Sequence, residues 1–378
     1  MHIRKRAWPL PPILIGGWTV QIKDVVCLTK SLVLPGLKEQ SEGKLDVIID
    51  WIEFTVHNYN LSDTIVHLLE LKEESFTKIP GGKNGYKNQK IWNEGNIFIL
   101  YNDMPEYDRM GIHIIMSGTG CRFYEQKKNL REMMANVMAI EEHYKFTRID
   151  IAIDDRSGEL INFKKITKAE DEETISSLWY KTTYLREKRI ADGIVLGRTL
   201  YFGSMKSKIF MRVYDKHLEQ KKRLQHNKRE DTTPLKEYVE WTRMEVVFRE
   251  QRAQLLSRYL LETDDIGLLL KGTLKNYIRF LQKPKKSNDM RKRRWKTAPW
   301  YEKLLGDVEK LKLTVKPAEK SIEDMKEWIN KQISPTIAAI MTANEGEIDW
   351  LYDLIINGST RLKAKHKQAI AQYLSEKD

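Results

Sequence analysis

Residues 147–155 read TRIDIAIDD, and the strict alternation of apolar and charged side chains in this stretch decides the fold. Successive side chains of a β-strand point to opposite faces, so the three isoleucines share one face while Asp150 and Asp154 share the other. This alternation is typical of an antiparallel sheet that packs one face on a core and leaves the other open. The segment therefore predicts a strand near the middle of such a sheet.

Three further segments alternate in the same way. They are VIIDWIEFTVH (47–57), SKIFMRVYDK (207–216) and EWTRMEVVFRE (240–250). Arg212, Tyr214 and Lys216 share the polar face of the second segment, and Arg243 and Glu245 share that of the third. Helical spacing in REMMANVMAIEEHY (131–144) and AQLLSRYLLE (253–262) adds helices between the strands. We therefore expect an α+β fold built on an antiparallel sheet.

Acidic side chains on these polar faces suggest a cation site. Asp is depleted from strands, and Asp150 and Asp154 on one face repel each other unless a cation lies between them. Together with Glu245 they could supply carboxylate oxygens to Mg²⁺ or Mn²⁺, with Glu53 as a possible fourth ligand. His113 could add a nitrogen, although an ordinary structural histidine is the stronger interpretation there. The alternative for the whole set is a solvated sheet face with no ion.

Tyr214 lies between two cations on its strand, which suggests a nucleophile. A phenol with a pKa near 10 is a weak nucleophile at neutral pH, and neighbouring cations stabilise the phenolate. Arg212, Lys216 and Arg243 could also hold phosphate oxygens. This pattern favours attack on a DNA phosphodiester, but the chain has 16 tyrosines, so an ordinary surface tyrosine stays an alternative.

Composition narrows the class of protein. The net charge of +12 favours a polyanionic partner, either nucleic acid or an anionic membrane surface. The two cysteines form no CxxC pair, which argues against a zinc site and a disulfide framework. No apolar run is long enough to span a bilayer. We therefore expect a cytoplasmic protein with no membrane partner.

Three regions follow from the distribution of Pro, Gly and charge. We expect a poorly ordered extension over residues 1–44 and a catalytic domain over residues 45–282. We expect a basic linker followed by an α-helical region over residues 283–378. The segment 283–296 holds eight Lys or Arg against one Asp. The side chains expected to follow the DNA backbone are Lys221, Lys222, Arg223, Arg291, Lys292, Arg293 and Arg294.

The ordered motifs resemble a known family. TRIDIAIDD, LYFGSMKSKIFMRVYDK and WTRMEVVFRE, together with the upstream GIHIIMSGTGCRFYE, are similar to the replication initiation factor family. Its members are rolling-circle plasmid initiators and the MobT/NicK-type relaxases of Gram-positive conjugative elements. The segment LKLTVKPAEKSIEDMKEWINKQISPTI resembles the C-terminal part of the relaxase branch.

The resemblance implies a site and a fold. It assigns the nucleophile to Tyr214, the acidic residues of the RxDxAxD strand to Asp150 and Asp154, and the glutamate of the RxExxxR strand to Glu245. It further implies an internally duplicated core related to the HUH-type Rep/relaxase fold, without the paired-histidine motif, and an α-helical C-terminal region. A host helicase is an expected partner. Many such relaxases begin with a helix-turn-helix module, which residues 1–44 do not resemble, so an auxiliary origin-binding protein is another possible partner.

We accordingly expect an origin-specific DNA relaxase that nicks one strand through a 5′-phosphotyrosyl intermediate with Mg²⁺ or Mn²⁺. A rolling-circle plasmid replication initiator is the alternative within the same chemistry. A non-catalytic DNA-binding regulator is the alternative from another class, and it leaves the acidic residues on converging strands without a role.

Overall fold

The computed structural model describes residues 13–15, 18–20, 45–93, 96–103, 109–226, 240–284, 291–306 and 321–375. The chain divides into two compact units, residues 1–313 and 314–378. No helix in the described ranges is both long and apolar enough to cross a membrane.

The described strands all belong to the first unit. They are β1 (Ile13–Ile15), β2 (Trp18–Val20), β3 (Asp46–Val56), β4 (Phe76–Ile79), β5 (Asn88–Trp92), β6 (Ile97–Tyr101), β7 (Ile112–Met116), β8 (Tyr144–Asp155), β9 (Ile175–Ser177), β10 (Thr182–Lys188), β11 (Val195–Phe202), β12 (Ile209–Asp215), β13 (Thr242–Arg249), β14 (Ile278–Gln282) and β15 (Lys296–Thr297).

The first unit also contains α-helices between these strands and after them. They are α1 (Gly118–Glu125), α2 (Leu130–Met138), α3 (Phe163–Asp171), α4 (Lys216–His226), α5 (Gln251–Glu262), α6 (Ile266–Tyr277) and α7 (Pro299–Leu305). A short helical segment, Leu61–Asp63, continues into a π-helical turn, Thr64–Leu68.

Ten of the strands form one antiparallel sheet in the order β10-β11-β12-β13-β8-β3-β7-β6-β5-β4. Helices α1, α2, α5 and α6 bury their apolar side chains with one face of this sheet in a single large core. The isoleucines of TRIDIAIDD are fully buried there, as are Met211 and Met244 on the neighbouring strands. The alternation therefore predicted the core face of these strands correctly.

The sheet is built from two halves of the same topology. In each half the first strand lies at the centre, and the following four strands return from the outer edge toward it, giving β3-β7-β6-β5-β4 and β8-β13-β12-β11-β10. The two first strands, β3 and β8, pair antiparallel in the middle of the sheet. Each half also carries a helical segment after its first strand and a helix pair after its last strand. This arrangement matches the expected internal duplication of an α+β core.

The first unit extends beyond the predicted end of the catalytic domain. Strand β14 pairs with β9 and with β15, and Trp295 and Tyr301 are buried. The division expected at 282/283 thus falls inside a compact unit, because apolar side chains beyond it pack on the core. Residues 285–290 of the predicted basic linker lie outside the described residues.

The second unit is helical, as expected. Its helices are α8 (Ile322–Trp328), α9 (Ser334–Ala343), α10 (Asp349–Ser359) and α11 (Ala364–Ser375), with a π-helical turn, Ile329–Ile333, between the first two. At the other end of the chain, β1 and β2 pair as a short hairpin within the predicted extension 1–44. The rest of that extension lies outside the described residues.

Candidate functional site

The sheet face opposite the main helices carries a row of polar side chains on three adjacent strands. Tyr214 of β12 lies opposite Arg243 of β13, and Arg243 lies opposite Asp154 of β8. Glu245 lies one pleat along from Arg243 and faces Ala152 on β8, between the positions of Asp150 and Asp154. The antiparallel register therefore brings together the side chains that the alternation places on one face.

Tyr214 is held by its neighbours on every side. Its hydroxyl donates to Oε2 of Glu245 at 3.3 Å. The guanidinium of Arg212 lies 5.7 Å from the centre of its ring and the ammonium of Lys216 lies 5.4 Å from it, both within range of cation–π attraction. Lys216 opens helix α4 rather than continuing the strand, and its ammonium pairs with Glu219. The ring is thus fixed with its oxygen directed at a carboxylate.

The acidity of Tyr214 differs from the prediction. Burial raises the pKa of Tyr214 well above that of a free phenol, and the charge of Glu245 raises it further. Arg243 lowers the pKa, but by less. The sequence predicts that flanking cations favour the phenolate, but the larger effect is the removal of the hydroxyl from water. A proton acceptor is therefore needed when this oxygen attacks, and Glu245 is in place to serve as one.

Glu245 is fully buried and charged. Burial alone would raise its pKa, but the Arg212 guanidinium, which pairs with its Oε1, holds the pKa below the ordinary value. Nε of Arg212 is buried and has no hydrogen-bond partner among the described residues. A buried donor left without a partner costs free energy, which an anionic oxygen bound here would recover.

Asp150 and Glu245 lie on the same open face of the paired strands β8 and β13. Burial raises the pKa of Asp150 well above the ordinary value, and the charge of Glu245 adds to this effect. Arg148 donates to both oxygens of Asp150, at 2.9 and 2.6 Å, which lowers the pKa by less. Two acids this close are stabilised by a further cation, although a protonated Asp150 also satisfies the pair.

Asp154 occupies a different environment from Asp150. Both of its oxygens accept from Arg243, with Nε and Nη2 at 2.7 Å, and both residues are buried. The third nitrogen of Arg243, Nη1, donates to Oδ1 of Asp50 at 2.8 Å. This bidentate geometry holds the guanidinium beside Tyr214. The role predicted for Asp154 as a metal ligand stays a prediction, and its visible contact is with Arg243.

Asp50 is a site residue that the pattern of β3 concealed. The register of β3 against β8 shifts between Ile49, which lies opposite Ile151, and Trp51, which lies opposite Asp150, so that Asp50 is the extra residue between them. Such a β-bulge inserts one extra residue and redirects its side chain. Burial raises the pKa of Asp50, and Arg243 partly offsets this. Ile49 and Ile52 are both buried although they are three residues apart, which breaks the two-residue period of a strand. The spacing of these two isoleucines is the sequence signal that could have revealed the bulge.

Glu53 lies beside Arg148, which also binds Asp150, and His113 lies next to Glu53. Glu53 accepts from Trp51 at 2.7 Å and pairs with Arg148 at 3.8 Å. Burial would raise the pKa of Glu53, but His113, Trp51 and Arg148 together lower it. His113 forms a hydrogen bond with Thr55 at 2.9 Å. His113 lies on β7, three strands away from β13, which carries Glu245, and this is about 14 Å at ordinary strand spacing. His113 therefore does not join Glu245, and its structural interpretation is the better one.

The donor set fits a hard cation in chemistry but is not assembled around one. Carboxylate oxygens suit Mg²⁺ or Mn²⁺. In the described part of the chain, however, no group of three or more His, Cys, Asp or Glu side chains is arranged to hold a metal ion. The arginines described above occupy the oxygens instead. Metal dependence thus stays a prediction.

The predicted DNA-contacting cations fall in two places. Lys221 and Lys222 are exposed on α4, directly after the strand of Tyr214, and Arg223 lies in the same helix. Lys292, Arg293 and Arg294 form a 3₁₀ turn that follows Arg291, with exposed side chains except for half-buried Lys292. Both groups lie in the first unit, and their contact with DNA stays a prediction.

Comparison with known proteins agrees with this arrangement. The model of the replication initiation factor family matches residues 144–355, and that of the rolling-circle replication initiation protein N-terminal domain matches residues 46–136. The chain is 29% identical over 345 residues to the "Putative DNA relaxase NicK" of Bacillus subtilis (strain 168), covering 89% of this chain and 92% of that protein. A solved rolling-circle replication initiator from Geobacillus stearothermophilus is 27% identical, with a TM-score of 0.59, and the match covers 72% of this chain and 99% of that one.

Proposed function

Since the chain belongs to the replication initiation factor family, we propose that it is an origin-specific DNA nickase of the relaxase type. The observation that carries the proposal is the Tyr214 hydroxyl, 3.3 Å from a buried carboxylate on Glu245 and flanked by the cations Arg212 and Lys216. A phenol, a base and phosphate-binding cations are the groups that a strand-transfer reaction at phosphorus requires.

The reaction conserves the phosphodiester. The Tyr214 oxygen attacks the scissile phosphorus while Glu245 accepts its proton. The bond from phosphorus to the 3′ oxygen breaks and this oxygen takes up a proton from water, so the DNA 5′ end is left as a phosphotyrosyl ester with a free 3′-OH. Arg212, through its unpartnered Nε, and Lys216 stabilise charge on the non-bridging oxygens. Attack by a 3′-OH on the same phosphorus reverses the step and closes the strand. No external energy source is needed, because one ester replaces another.

Arg243 contributes to this reaction by its fixed position beside Tyr214. Asp154 and Asp50 hold its guanidinium in one orientation beside Tyr214. A fixed cation there lowers the pKa of Tyr214 and offsets part of the effect of burial. We propose that Asp154 serves mainly as this anchor.

The proposal includes Mg²⁺ or Mn²⁺ as cofactor. Asp150 and Glu245, joined by Asp50, would hold the ion, since their mutual repulsion is what a cation relieves. When bound, the ion would supply Lewis-acid stabilisation of the phosphate. Arg148 and Arg212 occupy the same oxygens, so binding would require them to turn toward the DNA.

Within this chemistry, the extent of similarity favours a relaxase over a replication initiator. The match to the Bacillus subtilis relative covers 89% of this chain. The match to the Geobacillus initiator covers 99% of that protein but only 72% of this chain. The additional part of the chain therefore has a counterpart in a protein named as a relaxase. A host helicase and an auxiliary origin-binding protein are the partners we propose for strand separation and origin recognition.

The test uses supercoiled plasmid carrying the DNA that flanks the gene, incubated with Mg²⁺, Mn²⁺ or a chelator. We expect relaxed circles and a protein–DNA adduct on denaturing gels, and mass spectrometry of a digested oligonucleotide adduct should place the DNA on Tyr214. Attachment at another residue would remove Tyr214 from the role. Nicking that persists in the chelator would show that the reaction needs no metal ion, and it would leave the proposed role of Tyr214 unchanged. Binding without any adduct would favour the non-catalytic regulator.

A further inference from the structure

A two-stranded ribbon projects from the sheet beside the strand of Tyr214. Strand β12 ends at Asp215, and Thr199 of β11 lies opposite Tyr214. Beyond that row, residues 186–188 of β10 pair with residues 195–198 of β11, no other described strand pairs with them, and residues 189–194 form the turn. At about 3.3 Å per residue, the turn of this ribbon lies roughly 17 Å beyond the row of Tyr214. The ribbon is therefore a rigid arm with one end at the proposed site of cleavage.

The ribbon carries cations that the protein does not neutralise. Arg186 lies opposite Arg198, a pairing of like charges that destabilises a strand pair unless a counter-charge is present. Asp215 binds Arg198 at 2.6 Å. Arg186 and the nearby Lys188 are exposed and make no ion pair with any residue in the described part of the chain. The arm thus presents positive charge that an external anion could pair with.

The turn of the ribbon is apolar. Ile190 is fully exposed and Ile194 is 50% exposed, and Leu185, just before the ribbon, is 48% exposed. Arg189 at the turn is neutralised by Asp192, with nitrogen–oxygen distances of 2.9 and 2.5 Å. Gly193 with φ +71° closes the turn. Exposed isoleucines at the end of an arm that carries two cations without ion pairs indicate a surface that is covered when a partner binds.

We infer that the ribbon 186–197 enters the major groove of duplex DNA adjacent to the nick. The major groove of B-DNA accommodates a two-stranded β-ribbon, presents phosphates along both walls, and exposes thymine methyl groups to apolar side chains. Exposed Lys221 and Lys222 lie on α4 next to the ribbon, and Lys222 pairs with Glu187 of the ribbon at 2.6 Å. The inference rests on the proposed function, since it names the duplex flank as the DNA that this nickase holds. A reach of roughly 17 Å places the groove contact about five base pairs from the scissile phosphate.

The binding experiment compares two double variants of the full chain. Arg186→Ala with Lys188→Ala removes the two free cations of the ribbon. Lys72→Ala with Lys78→Ala is the matched control, because these exposed lysines lie at the opposite edge of the same sheet and the change in net charge is equal. The probes are a fluorescein-labelled 30-base-pair duplex and its single strand, measured by anisotropy at several salt concentrations.

We expect the ribbon variant to bind the duplex about tenfold more weakly near physiological salt. Its plot of log affinity against log salt should be less steep by about two, close to one unit for each phosphate that the variant no longer neutralises. The control variant should stay within about twofold of the wild type on both probes, and the ribbon variant should stay within about twofold on the single strand. Equal weakening by both variants, or an unchanged duplex affinity of the ribbon variant, would overturn the inference.

Cleavage and membrane measurements separate the remaining outcomes. The ribbon variant should still form the tyrosyl adduct on a single-stranded oligonucleotide that contains the nick site. Absence of an adduct with the wild-type chain would reject the proposed function while leaving the duplex affinities interpretable. A membrane partner is tested with phosphatidylglycerol vesicles: flotation of the wild type that Ile190→Ser abolishes, with unchanged duplex affinity of the ribbon variant, would assign the arm to a lipid surface and reject DNA.

Discussion

The two halves of the ten-stranded sheet have the same topology but opposite chemistry on the open face. In the second half, β12 and β13 carry Tyr214 and Glu245. At the corresponding strands of the first half, β6 and β7, the open face carries Leu100 and Ile115, which pack with Tyr86 in a small apolar cluster. The two halves therefore share a scaffold but not its charges: Asp150, Asp154, Arg243 and Glu245 are buried on the second half, where we propose the site.

The comparison extends to the acids of the two central strands. Asp150 of β8 has a raised pKa because it is buried beside Glu245, whereas Glu53 of β3 has a lowered pKa because His113, Trp51 and Arg148 together outweigh its burial. The surroundings of Asp150 disfavour its carboxylate form, whereas the surroundings of Glu53 stabilise the carboxylate. Groups with strongly perturbed pKa values are typical of functional sites, which supports our proposal that the chemistry lies in the second half.

The largest expected difference is between the two tyrosines. Tyr214→Phe should reduce nicking at least about a thousandfold, because no other group then supplies the attacking oxygen. Tyr86→Phe removes a hydroxyl that donates to the carbonyl of Met110 at 2.8 Å and should leave the nicking rate within about twofold. The measurement is the initial rate of conversion of supercoiled to open-circular DNA. Comparable losses in both variants would show that the halves do not differ as described.

The next effect concerns the buried ion pair at Arg243. Arg243→Met leaves Asp154 buried without its partner and should lower the free energy of unfolding by about 3–5 kcal/mol. Arg243→Met combined with Asp154→Asn should recover the part of that loss that Asp154 causes, whereas Asp50 still lacks its partner. Urea unfolding followed by circular dichroism gives both values. A double variant no more stable than the single one would contradict the pairing.

A pair of acid variants should respond to pH with opposite signs. The pKa of Asp150 is raised in the folded state, so the folded protein binds the extra proton and its stability falls as pH rises from the ordinary value of 3.8 through the folded pKa. Asp150→Asn should therefore raise the Tm at pH 7 by a few degrees, and the gain should shrink as pH is lowered through the folded pKa of Asp150.

Glu53 behaves in the opposite way. Its pKa is lowered from the ordinary value of 4.5, so its stabilisation is present above that value and is lost as pH falls through the folded pKa. Glu53→Gln should lower the Tm at pH 7, and the loss should shrink at lower pH. Scanning calorimetry of both variants with a chelator present measures the two trends. Changes of the same sign would contradict the contrast between the halves.

The smallest effect is expected at His113. His113→Asn removes the bond to Thr55 and the stacking on Tyr86, whose ring centre is 6.1 Å away, and should cost about 1 kcal/mol of stability. Nicking should be unchanged in Mg²⁺ and in Mn²⁺. A loss of nicking confined to Mn²⁺ would instead return His113 to the role of a metal ligand.

The polar row of the site was accessible from the sequence because strand alternation is a local property. A residue's face depends only on its parity within the strand, and the buried isoleucines of TRIDIAIDD confirm that parity. The family resemblance then selected Tyr214 among 16 tyrosines, which alternation could not do. The strand Thr182–Lys188 was not predicted, because TTYLREK is exposed over most of its length and shows no apolar alternation.

What the sequence by itself determined is therefore which side chains share a face, which segments are helical, and which family the motifs resemble. Only the tertiary structure decided which charges meet: Arg243 reaches Asp50 across 193 positions of chain, and a bulge in β3 directs Asp50 there. It also decided that Tyr214 is buried enough for desolvation to outweigh its cations. The physical reason is that period and propensity act over a few residues, whereas burial and ion pairing depend on strands brought together from distant parts of the chain.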